Sequence, residues 1–478
     1  MRRSMLILCA AVLCAGSAWA LPPERVAQLF ERGEFERARD GLLDARAREP
    51  HNAFLLYNLA CAHAQCGETE ASVEALLDAF GVGFVDLFHM ERDAHLEPIR
   101  AHRKYRAIVQ QWRAVLDARG TANRASLRAT FRDGYSFETD ASRRVDYASA
   151  LPPDSFEDAR AQVALVEAWA RLFVPIAEVD AERPDPWAMI VLPSQGDFAR
   201  FVGGGTVGGL YDRDRRRLIT RDIGPSLRHE VFHLFHWRHM NRIGQVHPIW
   251  IQEGLASVVE DVEEGADGSL VPVASWRTNI AKRLSEMNRL TPWSRLFAME
   301  QEDFTLRRGR RSYAEARAVM LFLHDRGKLP GWYAAYTRGF DDDPSGANAI
   351  ETAFGQSLDE VFREYRAWLA DLPEVAEMDR PGSASLGVPI EPGAGDGVQI
   401  GAVRFGEQRP RAIDGERLRP RDVVIEVEGR QVRTLDDLYR VLGDFEPGER
   451  VRVRARRGSR HIEMTVELVP RRSGVVGY

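Results

Sequence analysis

Basic clusters, lysine and long apolar runs are all scarce in this sequence. The formal net charge is −6 over 478 residues, and such a mild acidic balance gives no support for nucleic-acid binding. Lysine occurs only at Lys104, Lys282 and Lys328, whereas arginine is abundant. Beyond Ala20, no stretch is long and apolar enough to span a bilayer. We therefore expect neither a nucleic-acid partner nor a membrane span.

Cysteine is also scarce, with four residues in the whole chain. Cys9 and Cys14 lie before Ala20, which leaves Cys61 and Cys66. Five positions apart on a predicted helix, these two side chains point about 140° away from each other. We therefore expect free thiols rather than a disulfide or a pair of metal ligands.

The segment 1–20 has the layout of a secretory signal peptide. Arg2 and Arg3 precede an apolar run over residues 5–13, and Ala18 and Ala20 provide the small residues of a cleavage site. We expect cleavage after Ala20 and a periplasmic or secreted mature protein. Its length of about 458 residues predicts roughly three domains.

One stretch, His229-Glu230-Val231-Phe232-His233, carries the strongest signal for chemistry. On a helix, the imidazoles of His229 and His233 lie on one face and can reach a single zinc ion. Glu230 sits beside them, where its carboxylate can act as a general base on water. A catalytic zinc site also needs a third protein ligand and an open fourth position, so this stretch is incomplete by itself.

The third ligand is predicted in Trp250-Ile251-Gln252-Glu253-Gly254-Leu255-Ala256. Residues 229–240 and 249–262 both carry apolar residues at helical spacing, with a glycine and a proline between them. A helix, a loop and a second helix can bring Glu253 back to the histidines. Glu260, two turns further along the same face, can hydrogen-bond a ligand imidazole and fix its tautomer.

HEVFH followed by WIQEGLA resembles the motifs of the gluzincin zinc metallopeptidases, the thermolysin-like superfamily that includes the M1 aminopeptidases. The resemblance implies that His229, His233 and Glu253 bind one Zn²⁺ ion. It also implies Glu230 as the general base and Glu260 as a hydrogen-bond partner of a ligand.

A further match is Tyr313, which follows these motifs and opens an apolar helix. It resembles the tyrosine that steadies the tetrahedral intermediate in M1 enzymes, which implies a catalytic role. No acidic motif clearly captures a free amino terminus, and this favours an endopeptidase over an exopeptidase.

A second zinc-site interpretation takes its third ligand from the same short segment. His229, His233 and His239 fit the metzincin spacing HExxHxxGxxH. That pattern requires glycine where this chain has His236, because the helix must stop there. Residues 234–240 contain no helix breaker, so His239 is expected on a continuing helix, facing away from the other two.

The segment 21–117 is predicted to be helical, with a repeat whose period is about 34 residues. The repeated positions are Gly33, Phe35, Ala38, Leu42, Ala45 and Pro50, then Leu56, Leu59, Ala60, Gly67, Ser72, Leu76 and Ala79. This region resembles two tetratricopeptide (TPR) repeats followed by a degenerate helical pair over residues 84–112. Such repeats provide either a groove for a protein partner or a brace that packs on the enzyme.

Residues 121–372 are expected to form the α+β peptidase domain. The predicted elements are strands at 129–135 and 188–192, a helix at 155–173, a hairpin of 208–212 with 217–221, and mostly helices over 263–372. In gluzincins a strand near the zinc helix pairs with extended substrate. Either strand of the hairpin can be this substrate-pairing strand, or the hairpin can be an ordinary part of the sheet.

A linker at 373–385 separates this domain from a small, mainly β domain at 386–470. The pattern Leu418-Arg419-Pro420-Arg421-Asp422-Val423-Val424, with Pro447-Gly448 further on, resembles bacterial PDZ domains, although Arg421 replaces their usual glycine. Leu386, Gly387 and Val388 occupy the place of the loop whose amides capture a peptide carboxylate.

Together these features predict an exported zinc metallopeptidase with TPR-like, gluzincin-like and PDZ-like domains, acting on proteins or peptides. The alternative is a non-catalytic scaffold or chaperone-like protein, in which the flanking modules bind exported proteins and the zinc site is structural or vestigial. Glu230 separates the two hypotheses, because a scaffold has no need of a general base.

Overall fold

The computed structural model of this protein is a mixed α+β chain in which helices dominate. It describes residues 22–131, 133–176, 182–202, 209–212, 216–220, 222–307, 309–375, 384–393, 397–401, 411–442, 445 and 447–470. The predicted signal peptide and most of the predicted linker lie outside these residues. Among the helices described, none combines the length and apolar character needed to cross a membrane.

The N-terminal part is helical. Its elements are α1 (Pro23–Glu31), α2 (Phe35–Arg48), α3 (Ala53–Gln65), α4 (Thr69–Val82), α5 (Leu87–Arg92), α6 (Arg103–Gln110) and α7 (Trp112–Thr130), with a 3-10 turn at Ala94–Ile99. Helices α2 and α4 have the same length and begin one predicted period apart, each after a glycine with positive φ, Gly33 and Gly67. The predicted period is thus present in the backbone, and its assignment to the TPR family stays a prediction.

Small residues let these helices approach closely. Ala38 and Ala45 of α2, Ala60 of α3 and Ala79 of α4 are fully buried in one apolar core. Cys61 belongs to the same core, and both it and Cys66 are free thiols, as predicted.

Helix α7 shows that the strand predicted at residues 129–135 is wrong. The helix continues to Thr130, and the first strand of the central domain begins at Ser136, after Gly134 with φ 85°. The segment before Thr130 is rich in alanine, arginine and leucine, which favour a helix. The predicted domain boundary near residue 120 therefore falls inside a helix.

The central part combines one sheet with many helices. Its elements are β1 (Ser136–Asp140), β2 (Val145–Ser149), α8 (Pro153–Ala170), β3 (Ala188–Leu192), α9 (Gln195–Val202), β4 (Gly209–Asp212), β5 (Arg217–Thr220), α10 (Pro225–Ile243), α11 (Ile249–Val258), β6 (Val262–Glu264), β7 (Leu270–Pro272), α12 (Trp276–Glu286), α13 (Trp293–Phe297), α14 (Gly309–Asp325), α15 (Leu329–Arg338), α16 (Ala347–Phe354) and α17 (Leu358–Asp371), with a π-helical turn at Asp303–Arg307.

The five-stranded sheet has the order β1-β2-β3-β5-β4. Strands β2, β3 and β5 are parallel, while β1 and β4 pair antiparallel at the two edges. The predicted hairpin is confirmed within its described residues as β4 and β5. Helices α8, α10, α11 and α14 share one apolar core with this sheet, so the core fixes the HExxH helix against its neighbours.

The C-terminal part is mainly β. Its elements are β8 (Ala384–Ser385), β9 (Ile390–Pro392), β10 (Val398–Ile400), β11 (Arg411–Gly415), β12 (Val423–Val427), β13 (Arg430–Gln431), α18 (Leu435–Leu442), β14 (Arg450–Arg457), β15 (Arg460–Glu467) and β16 (Val469–Pro470). The main sheet follows the order β11-β15-β14-β12-β10-β9 around a separate apolar core.

Arg421 explains why the PDZ resemblance expects glycine at its position. It has φ 72°, a left-handed conformation that costs a residue with a Cβ atom about 1 kcal/mol. The following residue, Asp422, is buried and accepts hydrogen bonds from the amide of Arg419 and the guanidinium of Arg457. These bonds hold the turn without the glycine.

Candidate metal centre

Helix α10 presents His229 and His233 from a firmly fixed position. Asp222 accepts hydrogen bonds from the amides of Gly224 and Ser226, so it caps the start of the helix. At the other end, Gly244 with φ 72° terminates the helix. Arg92 of the N-terminal helical part donates to the carbonyls of Arg242 and Asn241 in the last turn, where a positive charge is favourable.

Helix α11 brings Glu253 to the two histidines. Pro248 stands at its N-terminal cap, and Gly254 allows close contact with α14, since a Cβ atom there would lie 3.0 Å from the carbonyl oxygen of Ala316. Glu253 Oε2 lies 3.2 Å from His229 Nε2 and 3.5 Å from His233 Nε2. The two Nε2 atoms are 3.0 Å apart, so three ligand atoms converge on one point.

The spacing of these atoms fits a zinc ion. Tetrahedral zinc with ligand atoms at about 2.0–2.2 Å places those atoms roughly 3.3 Å from one another. Among the described residues, the buried Oε2 atom of Glu253 has no hydrogen-bond partner. The side chains of His229, His233 and Glu253 remain 12%, 15% and 13% exposed, which leaves the cluster open on one side.

Glu260 fixes the tautomer of His229. Its Oε1 atom lies 2.8 Å from His229 Nδ1, and Arg277 donates to both carboxylate oxygens of Glu260. An ionised Glu260 accepts a hydrogen bond from Nδ1–H of His229, which leaves Nε2 facing His233 and Glu253 as a metal ligand requires.

The electrostatics of these groups also favour a cation. Burial lowers the pKa of His229, but the nearby carboxylates of Glu253 and Glu260 outweigh it and raise that pKa to about 10. Burial raises the pKa of Glu260, yet Arg277 and His229 bring it down to about 2. Despite burial, the nearby imidazoles of His233 and His229 hold the pKa of Glu253 well below its usual range. Two ionised carboxylates therefore face the imidazoles, and a bound divalent cation would balance their negative charge.

Glu230 lies between the histidines and strand β4. A Cβ atom on Gly209 of β4 would come within 2.9 Å of Glu230 Cγ and 3.4 Å of Oε1, so the strand passes directly beside this carboxylate. Burial raises the pKa of Glu230, although the charges of His229 and His233 oppose this. Among the described strands, β4 is an edge of its sheet.

Tyr313 reaches the same site from the first turns of α14. Its ring lies 6.4 Å from the ring of His229 and 5.5 Å from the Arg277 guanidinium. Burial, together with the charge of the nearby Glu253, raises the pKa of Tyr313 well above its usual value. The hydroxyl therefore keeps its proton and can act as a hydrogen-bond donor.

The remaining histidines of α10 lie away from this cluster. As expected, α10 continues past His239, whose ring faces Tyr333 at 5.7 Å. His236 is fully buried and its Nε2 atom lies 2.8 Å from Nδ1 of His247. Within the described residues, the single group of three possible ligands is His229, His233 and Glu253, and the metzincin set does not form.

Arg277 and His247 were not predicted from the sequence. Arg277 has no motif to mark it, and only the packing of α12 brings it to the carboxylate of Glu260. His247 lies in the turn between two motifs that do not include it, so its pairing with His236 had no sequence signal.

The predicted peptide-binding loop lies in the C-terminal part. Leu386 is buried in its core, and Gly387 has φ 69° with its amide donating to Ser385 Oγ at 3.1 Å. Val388 is partly buried against the same core. One of the loop amides is thus already bonded within the loop.

Comparisons with known proteins are distant. No protein-family model matches the chain, and no curated protein matches it. Among solved structures, the HtrA-type protease AlgW with decapeptide has 18% identity and a TM-score of 0.16 over 19% of this chain and 30% of that one. An aminopeptidase N family protein from Idiomarina loihiensis has 13% identity and a TM-score of 0.30 over 70% of this chain and 67% of that one. Both scores are too low to assign a fold, so the properties of the site rest on its own residues.

Proposed function

We propose that this protein is an exported zinc-dependent metallopeptidase that hydrolyses peptide bonds. The observation that carries the proposal is the convergence of His229, His233 and Glu253 at mutual distances of 3.0–3.5 Å in a partly exposed site. A purely structural zinc site closes its coordination with four protein ligands. Here the described residues supply three, with Glu230 beside them.

Zinc held by these three residues would polarise a peptide carbonyl and acidify water. Glu230 would take the proton from the attacking water and pass it to the leaving amine. Its burial serves this role, because a raised pKa makes a carboxylate a stronger base. Tyr313 would donate its hydroxyl proton in a hydrogen bond to the developing oxyanion.

Strand β4 supports an extended peptide as the substrate. Among the described strands it is an edge strand beside Glu230, and an edge strand can pair with the main chain of an extended peptide. Such pairing gives affinity without a particular sequence, and it also holds a substrate that continues on both sides of the cleaved bond. We therefore favour endoproteolysis.

The flanking parts fit this activity in different ways. Arg92 ties the N-terminal helices to the last turn of α10, which supports the role of a brace. The PDZ-like part, with its loop of Leu386, Gly387 and Val388, would bind peptide termini. The signal-like segment at residues 1–20 supports export to the periplasm or the medium.

The test compares the mature protein with Glu230→Gln, which keeps the shape and the ligands but removes the base. We expect about one zinc per chain in both, measured by elemental analysis. Cleavage of casein or a peptide library should fall by roughly 10²–10⁴-fold in the variant. Tyr313→Phe, assayed in parallel, should keep zinc and lose part of the activity.

Other outcomes are equally informative. If both proteins carry zinc and neither cuts any peptide, the non-catalytic scaffold becomes the better hypothesis. If the wild-type protein carries no zinc, the ligand assignment is wrong.

A further inference from the structure

The segment that carries Glu260 is held by arginines from several elements. Arg228, next to His229 on α10, donates to the carbonyl of Val259 at 2.7 Å and to that of Glu260. Arg317 of α14 is fully buried and donates to the carbonyl of Ser257 at 2.9 Å. These bonds fix the backbone on both sides of the residue that orients His229.

The side chain next to Glu260 is held by a different part of the molecule. Asp261 is only 1% exposed, and its Oδ1 atom accepts a hydrogen bond of 2.9 Å from Arg440 on α18, in the C-terminal part. Its Oδ2 atom has no hydrogen-bond partner among the described residues, and Arg317 Nη2 lies 3.7 Å away. Arg440 therefore supplies the hydrogen bond to this buried carboxylate.

A second contact joins the same two parts. Gly224 occupies the N-cap position of α10. A Cβ atom at this position would lie 2.5 Å from Cγ2 of Thr434, which precedes α18. The start of α18 is thus packed on the start of the helix that carries His229. The contact needs a glycine, so it is close enough to couple the two helices.

We propose that Arg440 is a positioning residue for the metal centre, acting from the PDZ-like part through Asp261. By pairing with the Asp261 carboxylate it holds that residue in place, and the neighbouring Glu260 stays bonded to Nδ1 of His229. Without Arg440, the buried carboxylate of Asp261 would lose this hydrogen bond and would turn toward solvent or toward Arg317, whose Nη2 atom lies 3.7 Å from Oδ2. Either movement shifts the peptide that carries Glu260 and loosens the orientation of the ligand.

This inference rests on the proposed zinc site, and zinc affinity tests it in the full-length mature chain. Competition with a fluorescent chelator gives the dissociation constant without any need for peptidase activity. Loss of a residue that orients a ligand typically costs 10–100-fold in metal affinity. Arg440 acts one residue further away, so we expect Arg440→Gln to weaken zinc binding by about 3–10-fold.

The controls separate positioning from general damage. Arg452→Gln changes a 78% exposed arginine of the same C-terminal part and should bind zinc like the wild type. Arg440→Lys keeps a positive charge opposite Asp261 and should recover most of the affinity. Asp261→Asn removes the carboxylate on which Arg440 acts, so it should weaken zinc binding by itself. Adding Arg440→Gln to it should cause little further loss.

The outcomes are distinct. Wild-type affinity in Arg440→Gln would overturn this inference and leave the zinc site intact. If Arg440→Gln does not fold, Asp261→Asn decides, and wild-type affinity there would also overturn it. A wild-type protein that binds no zinc would overturn the proposed function along with it.

Discussion

Helix α10 takes part in two histidine pairs whose surroundings differ. His229 and His233, in its first half, bring their Nε2 atoms within 3.0 Å beside the carboxylates of Glu253 and Glu260. His236, in the next turn of the helix, lies 2.8 Å from His247. The side chains that pack around this second pair are phenylalanines and tyrosines: Phe232, Tyr333, Tyr336 and Phe340.

The surroundings move the pKa values of the two pairs in opposite directions. Carboxylates raise the pKa of His229 to about 10 against the effect of burial. At the second pair, burial and the charge of His239 lower the pKa of His247 to about 3, and burial lowers that of His236 as well. Two imidazoles at similar distances thus form a candidate metal centre only where carboxylates accompany them. Where aromatic rings accompany them, they form a neutral hydrogen bond of the core.

The strongest test exchanges one histidine of each pair for alanine. His233→Ala removes a ligand, so we expect bound zinc to fall from about one per chain to nearly none by elemental analysis. His236→Ala should retain the zinc, because its ring points into the core. It should instead lower the free energy of unfolding by about 2–4 kcal/mol, since it leaves a cavity and removes the hydrogen-bond partner of Nδ1 on His247.

This pair of variants is matched, because both remove one imidazole from the same helix. Denaturant unfolding with excess zinc measures the stability of each. Loss of zinc in His236→Ala with normal folding would show that the second pair belongs to the metal centre, and the distinction drawn between the two pairs would be wrong.

A smaller effect should appear in the pH dependence of stability. In the unfolded chain a histidine binds its proton near pH 6.5, whereas folded His247 does so only near pH 3. The unfolded state therefore binds more protons within this window. The stability contributed by neutral His247 is complete above about pH 6.5 and is lost as the pH falls toward 3.

Unfolding curves at pH 7.5 and 5.5 measure this contribution when the wild type is compared with His247→Gln. The wild type should lose up to about 1.4 kcal/mol more per pH unit below 6.5 than the variant does. Carboxylates titrate in both proteins, so their contribution cancels in the difference. Parallel losses in the two proteins would mean that His247 does not stay neutral in the fold.

The site residues that could be predicted are those that elements adjacent in the sequence bring together. The spacing of His229, His233 and Glu253 predicted the cluster, because two consecutive helices and one turn bring them together. Glu260 was also predicted, but α11 ends at Val258, so Glu260 reaches His229 from the turn after the helix and not from two turns further along its face. Arg277 and Arg440 were not predicted, since they reach this site through the packing of distant elements that no local pattern records.

The secondary structure was likewise predictable where local sequence determines it. The hairpin of β4 and β5 was predicted within its described residues. The error at residues 129–135 came from a boundary where α7 runs on into the central domain. Tertiary contacts of α7, including the hydrogen bond from Trp187 to Asp117, extend over this boundary and are invisible in the local sequence.

The smallest change in stability is expected when the hydroxyl of Tyr333, which lies beside the second histidine pair, is removed. Its ring lies near those of His236, His239 and His247, and its buried hydroxyl has no hydrogen-bond partner among the described residues. The Oε2 atom of Glu253 also lacks a hydrogen-bond partner, and we assign it to a metal.

If the pair of His236 and His247 is only a part of the core, the Tyr333 oxygen binds no ligand. Tyr333→Phe should then leave zinc affinity unchanged and raise the free energy of unfolding by up to about 1 kcal/mol, since an unsatisfied buried hydroxyl is removed. A clear loss of stability in denaturant unfolding would show instead that the hydroxyl is bonded in solution, and that the second pair is more polar than its aromatic surroundings suggest.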